Sequence, residues 1–312
     1  MDRRTFITSS SLAALASYAV SIGSFPTTLF GGFMQNAELS DEQICKLKFD
    51  LALSARLADK PINEVIVEIG KSFIGTDYAG HTLEEEGEEK LVINLRALDC
   101  VTFYENCVAL ARCIKLKKTT FEDYKAQLQF LRYRDGIIDG YPSRLHYTTD
   151  YWHNAEKKGI LRIVTKEIFG EKNVVEIPKP INFMTTHRDK YKHLARLNDA
   201  VGQATNDANY AKIKAQEEEI NKRKDYFLPK GNLHMFADKV QHGDLIGIAT
   251  NIEGMDISHT GIAVRMPNNK LHFMHAPNVG YKVQITEVPL HDYLAKNSKQ
   301  IGIIVARVNE IE

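Results

Sequence analysis

The chain has 312 residues, 44% of them hydrophobic and 26% charged, with Lys+Arg and Asp+Glu both at 40 and a formal net charge of zero. That length buries a sizeable core, as one large domain or two small ones, and the composition is that of an ordinary globular protein. The charge balance removes any global electrostatic case for nucleic acid or an anionic membrane as partner.

The N-terminus reads M-D-R-R-T-F-I-T-S-S-S-L-A-A-L-A-S-Y-A-V. Arg3 and Arg4 lead into a small, apolar, Ser/Ala-rich stretch, the pattern of a bacterial export signal, and Arg3-Arg4-Thr5-Phe6 resembles a twin-arginine start. The stretch is too short and too mixed to span a membrane, so no stable span is expected after signal removal. Residues 1–30 are expected to be leader and 36–312 a single domain.

Ser40-Asp41-Glu42 opens a helix over 40–60, and Pro61 opens a second over 61–73 with Ile66, Ile69 and Phe73 inward. The glycine-punctuated loop G-T-D-Y-A-G-H-T-L follows, then a short strand at 90–95 (K-L-V-I-N-L). A helix from Asp99-Cys100 runs to about Lys115, and another covers 120–133. Residues 132–152 form a loop rich in aromatics and charges, and 186–224 a charged helical insertion, solvated or acting as a lid. The last third changes period: L-I-G-I-A-T, H-T-G-I-A-V-R-M, L-H-F-M-H-A, Y-K-V-Q-I-T-E-V and I-G-I-I-V-A-R-V are strands. Helices first and an antiparallel sheet second make an α+β fold with one core.

Export invites disulfides, and there are four cysteines, Cys45, Cys100, Cys107 and Cys113. Along one helix Cys100 and Cys107 stand roughly 10 Å apart and Cys107 and Cys113 about 9 Å, beyond the reach of a disulfide. Cys107 and Cys113 read as small buried hydrophobes, and a bridge from Cys45 to one of them stays open. Cys100 is different. Asp99 is a good N-cap, which puts Cys100 in the first helical turn, where free N–H groups and the helix dipole favour a thiolate. Its pKa is expected to fall, which makes it a candidate nucleophile with an oxyanion site beside it.

A thiolate needs a base. His153, His187, His193 and His234 sit in polar contexts and read as surface residues. If Pro267-Asn268-Asn269 forms a three-residue hairpin loop, Met266 faces Lys270, Gly261 faces His275, and His259 and His275 become diagonal neighbours on one face. That suits a base, His259, and a residue that orients it, His275. A two-residue loop would put them on opposite faces. His272 points away from His275. A zinc site from His259, His275 and Asp244 is the alternative chemistry, without support from a metal-binding spacing.

Asp99-Cys100, Gly243-Asp244-Leu245-Ile246, His259-Thr260-Gly261-Ile262-Ala263 and His275-Ala276 resemble the NlpC-type papain-like cell-wall hydrolases. Within them, residues 75–84, 98–106, 132–152, 181–187 and 254–263 resemble the AmiA-like N-acetylmuramoyl-L-alanine amidases, over about 73–280. The resemblance implies a papain-like fold, a nucleophile helix packed on an antiparallel sheet. It implies Cys100 as nucleophile, His259 as base, His275 as orienter, and Tyr78 lining the site beside the oxyanion. It implies hydrolysis of the amide between muramic acid and L-alanine, on murein fragments such as anhydro-muropeptides, without a metal or other cofactor. The N-terminal signal makes the periplasm of a Gram-negative bacterium the expected location. D-C-V-T stands where most NlpC-type enzymes have D-C-S-G, which points away from their γ-D-glutamyl-diamino-acid endopeptidase specificity. A catalytically silent murein-binding module is the non-enzymatic alternative.

The substrate cleft is expected from the 132–152 block. Trp152 offers a face for a sugar ring, and Arg144 a partner for a substrate carboxylate. His146, Tyr147 and Asp150 are further contacts, and Asp256, ahead of the His259 strand, another.

Overall fold

The structure, a computed structural model, describes residues 39–311. The expected leader, residues 1–30, lies outside them. Helix α1, Asp41–Ser54, buries Ile44, Cys45, Phe49 and Ala52. Helix α2, Ile62–Lys71, starts after Pro61 and buries Val65, Ile66 and Ile69. Strand β1, Asp77–Tyr78, pairs in parallel with β2, Ala97–Leu98.

Residues 90–95 do not form the expected strand. The carbonyls of Lys90 and Val92 accept from Tyr133 Oη and Arg132 Nη1, so side chains satisfy the groups that a ladder would have used.

Helix α3, Cys100–Lys115, is buried round most of its circumference, through Phe103, Tyr104, Cys107, Val108, Leu110 and Cys113 among others. It packs against α2, against α4 (Phe121–Arg132) and against the sheet. Cys45, Cys107 and Cys113 are buried, and all four cysteines are free.

Helix α5, Thr148–Lys157, is followed by β3, Leu161–Ile163, and β4, Val175–Glu176. The charged insertion is less helical than its composition suggests. Its long helix, α6, is Ala200–Lys222, capped by the Asp199 side chain, and a 3-10 turn at Arg188–Lys190 precedes it. Nor is it wholly solvated: Ile213, Glu217 and Ile220 are buried.

The strands that complete the sheet, with one helix beside them, are β5 (Tyr226–Pro229), β6 (Leu245–Thr250), β7 (Ile257–Arg265), β8 (Leu271–His275), β9 (Gln284–Ile285), α7 (Leu290–Ala295) and β10 (Gln300–Val308). The sheet order is β4-β5-β10-β6-β7-β8-β9, with β3 also on β10, and every pair in it is antiparallel. Y-K-V-Q-I-T-E-V contributes only β9 to it, because Tyr281–Val283 pair instead with the β1 segment. On one face Ile246, Ile248, Ala263, Phe273, Ile303 and Val305 pack with Leu290 and Leu294 of α7. Among the described residues no helix is long and apolar enough to cross a membrane.

Candidate active site

Cys100 opens α3. Asp99 Oδ1 accepts from the amides of Val101 (3.0 Å) and Thr102 (2.8 Å), and Thr102 Oγ1 accepts from the Asp99 amide (2.8 Å), a closed capping box. Thr102, one of the two residues that depart from the commoner D-C-S-G pattern, therefore has a local task. The Phe103 amide bonds the Asp99 carbonyl, so the first-turn amide left beside the sulfur is that of Cys100.

The strand side is set by register. Ile262 pairs with Met274 and Arg265 with Leu271, the register of a three-residue loop, which places Gly261 opposite His275. His259 Nε2 and His275 Nδ1 lie 2.7 Å apart. Between β6 and β7 the register shifts next to His259, with Ile248 opposite His259 but Ala249 opposite Ile257. This bulge at Ser258 is a device that re-aims a neighbouring side chain. Gly261 is required by close approach: a Cβ there would sit 2.4 Å from the Met274 carbonyl oxygen and 2.8 Å from the Phe273 ring.

Thr260 brings the two halves together. Its hydroxyl donates to the Cys100 carbonyl (2.8 Å), and Thr260 lies near enough to the Cys100 sulfur to favour its thiolate. The sulfur thus lies beside the residue that follows His259.

The electrostatics reverse one expectation. Burial, with the Asp99 carboxylate beside it, pushes the Cys100 thiol up to about 12, and Thr260 offsets only part of this. Burial pushes His259 down to about 4, and burial with the neighbouring His259 pushes His275 down to about 2. The resting pair is a thiol and a neutral imidazole. Capping also draws two of the first-turn amides away from the sulfur, which weakens the helix-terminus effect.

Two tyrosines flank the thiol. Tyr78 is half-buried, and its pKa is raised by burial and by Cys100 and Asp99. Tyr293, on α7, was not singled out by sequence reasoning. Its ring lies 5.2 Å from that of His275, and burial and Cys100 raise its pKa. Only the aromatic in P-L-H-D-Y-L signalled it.

Most of the expected substrate contacts are engaged by partners within the chain. Trp152 is 0% exposed and offers no face to a sugar. Arg144 is buried and pairs with Glu84 (2.7 Å) and Glu89 (3.1 Å) of its own chain. His146 Nε2 lies 3.1 Å from the Tyr141 carbonyl, and Tyr147 Oη donates to Glu217 (2.6 Å). Asp150 bridges Arg134 (2.6 Å) and Arg223 (2.5 Å) beside a cavity of about 550 Å³ that α6 also lines. Asp256 accepts from the Thr149 amide and hydroxyl, both at 2.8 Å, and so caps α5 from a distant loop. His153, His187 and His193 are half-buried with partners (Asp225, Phe183 and Tyr141); His234 alone of the four is exposed.

The His259–His275–Asp244 metal alternative is not assembled. Asp244 accepts two bonds from Arg307 (2.8 and 2.9 Å) and stands opposite Ala263, four residues or about 13 Å along β7 from His259. Gly243, at φ 88° and against the Asn63 backbone, completes an architectural G-D pair.

A helix-borne cysteine beside two bonded, strand-borne histidines defines a candidate hydrolase of mixed α/β architecture with an antiparallel sheet. The chain belongs to the AmiA-like family, described as N-acetylmuramoyl-L-alanine amidase-like, which matches residues 68–303. It is similar to the crystal structure of an N-acetylmuramoyl-L-alanine amidase from Bacteroides uniformis, at 35% identity and a TM-score of 0.71, over 80% of this chain and 99% of that one. A Bacteroides fragilis protein to which xylanase activity is attributed matches at 34% identity and a TM-score of 0.67, over 76% and 98%. A Legionella pneumophila protein shares the fold at 23% identity and a TM-score of 0.65, over 86% and 95%. No curated protein matches this chain. Family and neighbours support a peptidoglycan amidase, which implies a murein substrate.

Proposed function

We propose that the protein is a cysteine amidase of papain-like, NlpC-type fold. It hydrolyses the N-acetylmuramoyl–L-alanine amide of peptidoglycan fragments, anhydro-muropeptides among them, and it is exported to the periplasm. The observation that carries the chemistry is the Thr260-bridged juxtaposition of Cys100 with the His259–His275 pair.

With Nε2 bonded to His275, His259 has Nδ1 free to exchange a proton with the sulfur. Because the thiol and imidazole rest neutral, the proton moves as the sulfur attacks, which is general-base catalysis rather than a standing ion pair. Cys100 Sγ attacks the lactyl carbonyl carbon, and the Cys100 amide, with Tyr78, holds the oxyanion. The C–N bond breaks, His259 returns its proton to the alanine nitrogen, and a thioester remains. Water gives a proton to His259, attacks the thioester, and releases the lactyl carboxylate and the thiol.

A glycosidase reading would need two carboxylates flanking the bond. Asp99, the carboxylate beside Cys100, is engaged as a cap, which favours the amidase.

The test is incubation with a defined anhydro-disaccharide tripeptide, read by mass spectrometry, with iodoacetamide or EDTA in parallel arms. Free anhydro-disaccharide and a peptide beginning at L-alanine, lost on alkylation and kept with chelator, is the expected result. Cleavage within the peptide would move the specificity to an endopeptidase. Binding without cleavage would make the protein a murein-binding module.

A further inference from the structure

With Trp152 buried, the question is what receives the sugar. We infer that Tyr281 and Val279 form an apolar platform beside the active site that takes the face of the substrate's amino-sugar ring; this rests on the murein-amidase reading. The loop leaves β8 directly after His275. Its return is tied to the nucleophile by backbone pairing. The Tyr78 amide donates to the Tyr281 carbonyl (2.7 Å), and Gly75 and Val283 exchange further bonds with this segment, at 2.9 Å to Val283 and 2.8 Å to Thr76. Tyr78 in turn pairs with Leu98, two residues before Cys100. Tyr281 therefore stands two inter-strand spacings, about 10 Å, from the backbone that presents Cys100.

The chemistry of the lip is apolar. Tyr281 is 67% and Val279 77% exposed, among the most open large hydrophobic residues described. The nearby cation, Lys282, is held by Asp77 at 2.5 Å, so the lip offers a ring face and a branched methyl pair rather than a counter-charge for the carboxylates of a stem peptide. The planar face of a tyrosine suits the C–H face of a pyranose, and an aromatic left open beside a reacting centre is a feature that calls for a ligand.

The backbone adds an independent observation. Tyr281 adopts φ 54°, left-handed for a bulky residue, next to Gly280 at φ 88°. Such a conformation persists where the surroundings hold it, and it concentrates at ligand-binding segments. Here the Tyr78 bond and the Lys282–Asp77 pair hold it.

The experiment uses two variants, Tyr281→Asn, which keeps the left-handed backbone and removes the ring, and Tyr281→Phe, which keeps the ring. Each is made in the full chain with and without Cys100→Ala. Calorimetry on the Cys100→Ala background measures binding of the anhydro-disaccharide tripeptide and of the free tripeptide, while turnover is followed on the Cys100 background. The platform predicts about ten-fold weaker binding of the sugar-bearing ligand for Tyr281→Asn. Tyr281→Phe should bind as the parent does, and neither variant should change binding of the tripeptide. Equal binding of the sugar-bearing ligand by Tyr281→Asn and its parent, with turnover intact in the parent, overturns the platform and leaves the amidase standing. Equal losses for both ligands also overturn it, because the loop then acts on the site as a whole. If the parent neither binds nor cleaves, the murein reading falls and this inference with it.

Discussion

His259 Nε2 sits 2.7 Å from His275 Nδ1, sixteen residues away on the next strand. One of the two nitrogens must carry the shared proton. If His259 is to accept the thiol proton at Nδ1, it donates from Nε2, and His275 then carries its own proton at Nε2. That Nε2 is buried and unpaired among the described residues. His275 is thus a neutral acceptor whose task is to fix the tautomer of its neighbour.

His275→Ala should therefore lower kcat by about a hundred-fold with a smaller rise in KM, since orientation matters most in the transition state. His275→Gln, which offers a carbonyl oxygen in place of Nδ1, should recover part of the loss. An unchanged kcat in His275→Ala would remove the residue from the mechanism.

Asp99 has two opposed effects, capping α3 and raising the pKa of Cys100. Asparagine also caps well. Asp99→Asn should therefore fold with a stability change within about 1 kcal/mol yet alkylate faster with iodoacetamide at a given pH, because the neighbouring negative charge is gone. In the unaltered protein alkylation should be slow at neutral pH and accelerate into the alkaline range. Equal rates in both proteins would show that burial alone sets the thiol's pKa. Cys100→Ala should abolish turnover and retain binding; a variant that kept full activity would end the cysteine mechanism.

Gly261→Ala tests how tightly the histidine pair is held. The new methyl would meet backbone at Met274 as well as the Phe273 ring, which itself touches His259 with ring centroids 5.7 Å apart. Backbone cannot step aside as a flexible side chain does, so a loss of roughly 1–3 kcal/mol is expected, with kcat falling beyond what the lost stability explains. Thermal unfolding and steady-state kinetics on the same preparation separate the two, and a variant with normal Tm and kcat would contradict the contact.

Asp256→Asn separates a cap from a substrate contact. Asp256 is 2% exposed and accepts from both donors of Thr149. The expected outcome is a stability loss of about 1 kcal/mol with KM unchanged. A raised KM at normal stability would return Asp256 to the substrate.

The parts of the site legible in the sequence are those set by near neighbours. Asp99 and Thr102 cap α3 from three residues apart, and the loop Pro267-Asn268-Asn269 fixes the register that joins His259 to His275. The parts that were not legible depend on distant partners. Trp152 reads as a free aromatic until Gly247 and Ile257 are seen to pack beside it. Arg144 reads as a free cation until Glu84 and Glu89 approach from some sixty residues upstream. The thiol shift follows the same rule: the cap is local and visible, whereas the burial that outweighs it depends on the rest of the fold.

Acid stability follows from the same burial. His259 and His275 are held far below the ordinary histidine value of 6.5, at about 4 and about 2, and His146 and His242 are shifted in the same direction. In the unfolded chain these groups take up protons as the pH falls through 6.5, while the folded protein refuses them. The unfolded state then binds more protons, so stability is complete above about pH 6.5 and is lost as the pH falls toward 4. Asp256 and Glu105, whose burial raises their pKa, act in the opposite sense: the folded state takes up their protons first as the pH falls toward the ordinary carboxyl values of 3.8 and 4.5, which offsets part of the loss. For His259 and His275 the loss should be on the order of 1–2 kcal/mol each by about pH 5. Thermal unfolding of the unaltered protein between about pH 7 and pH 5 should show a falling Tm, and His275→Gln should show a shallower fall. Identical slopes in the two proteins would mean that His275 is protonated in the fold as readily as in solution, and the neutral-acceptor role drawn from its 2.7 Å bond would fail with it.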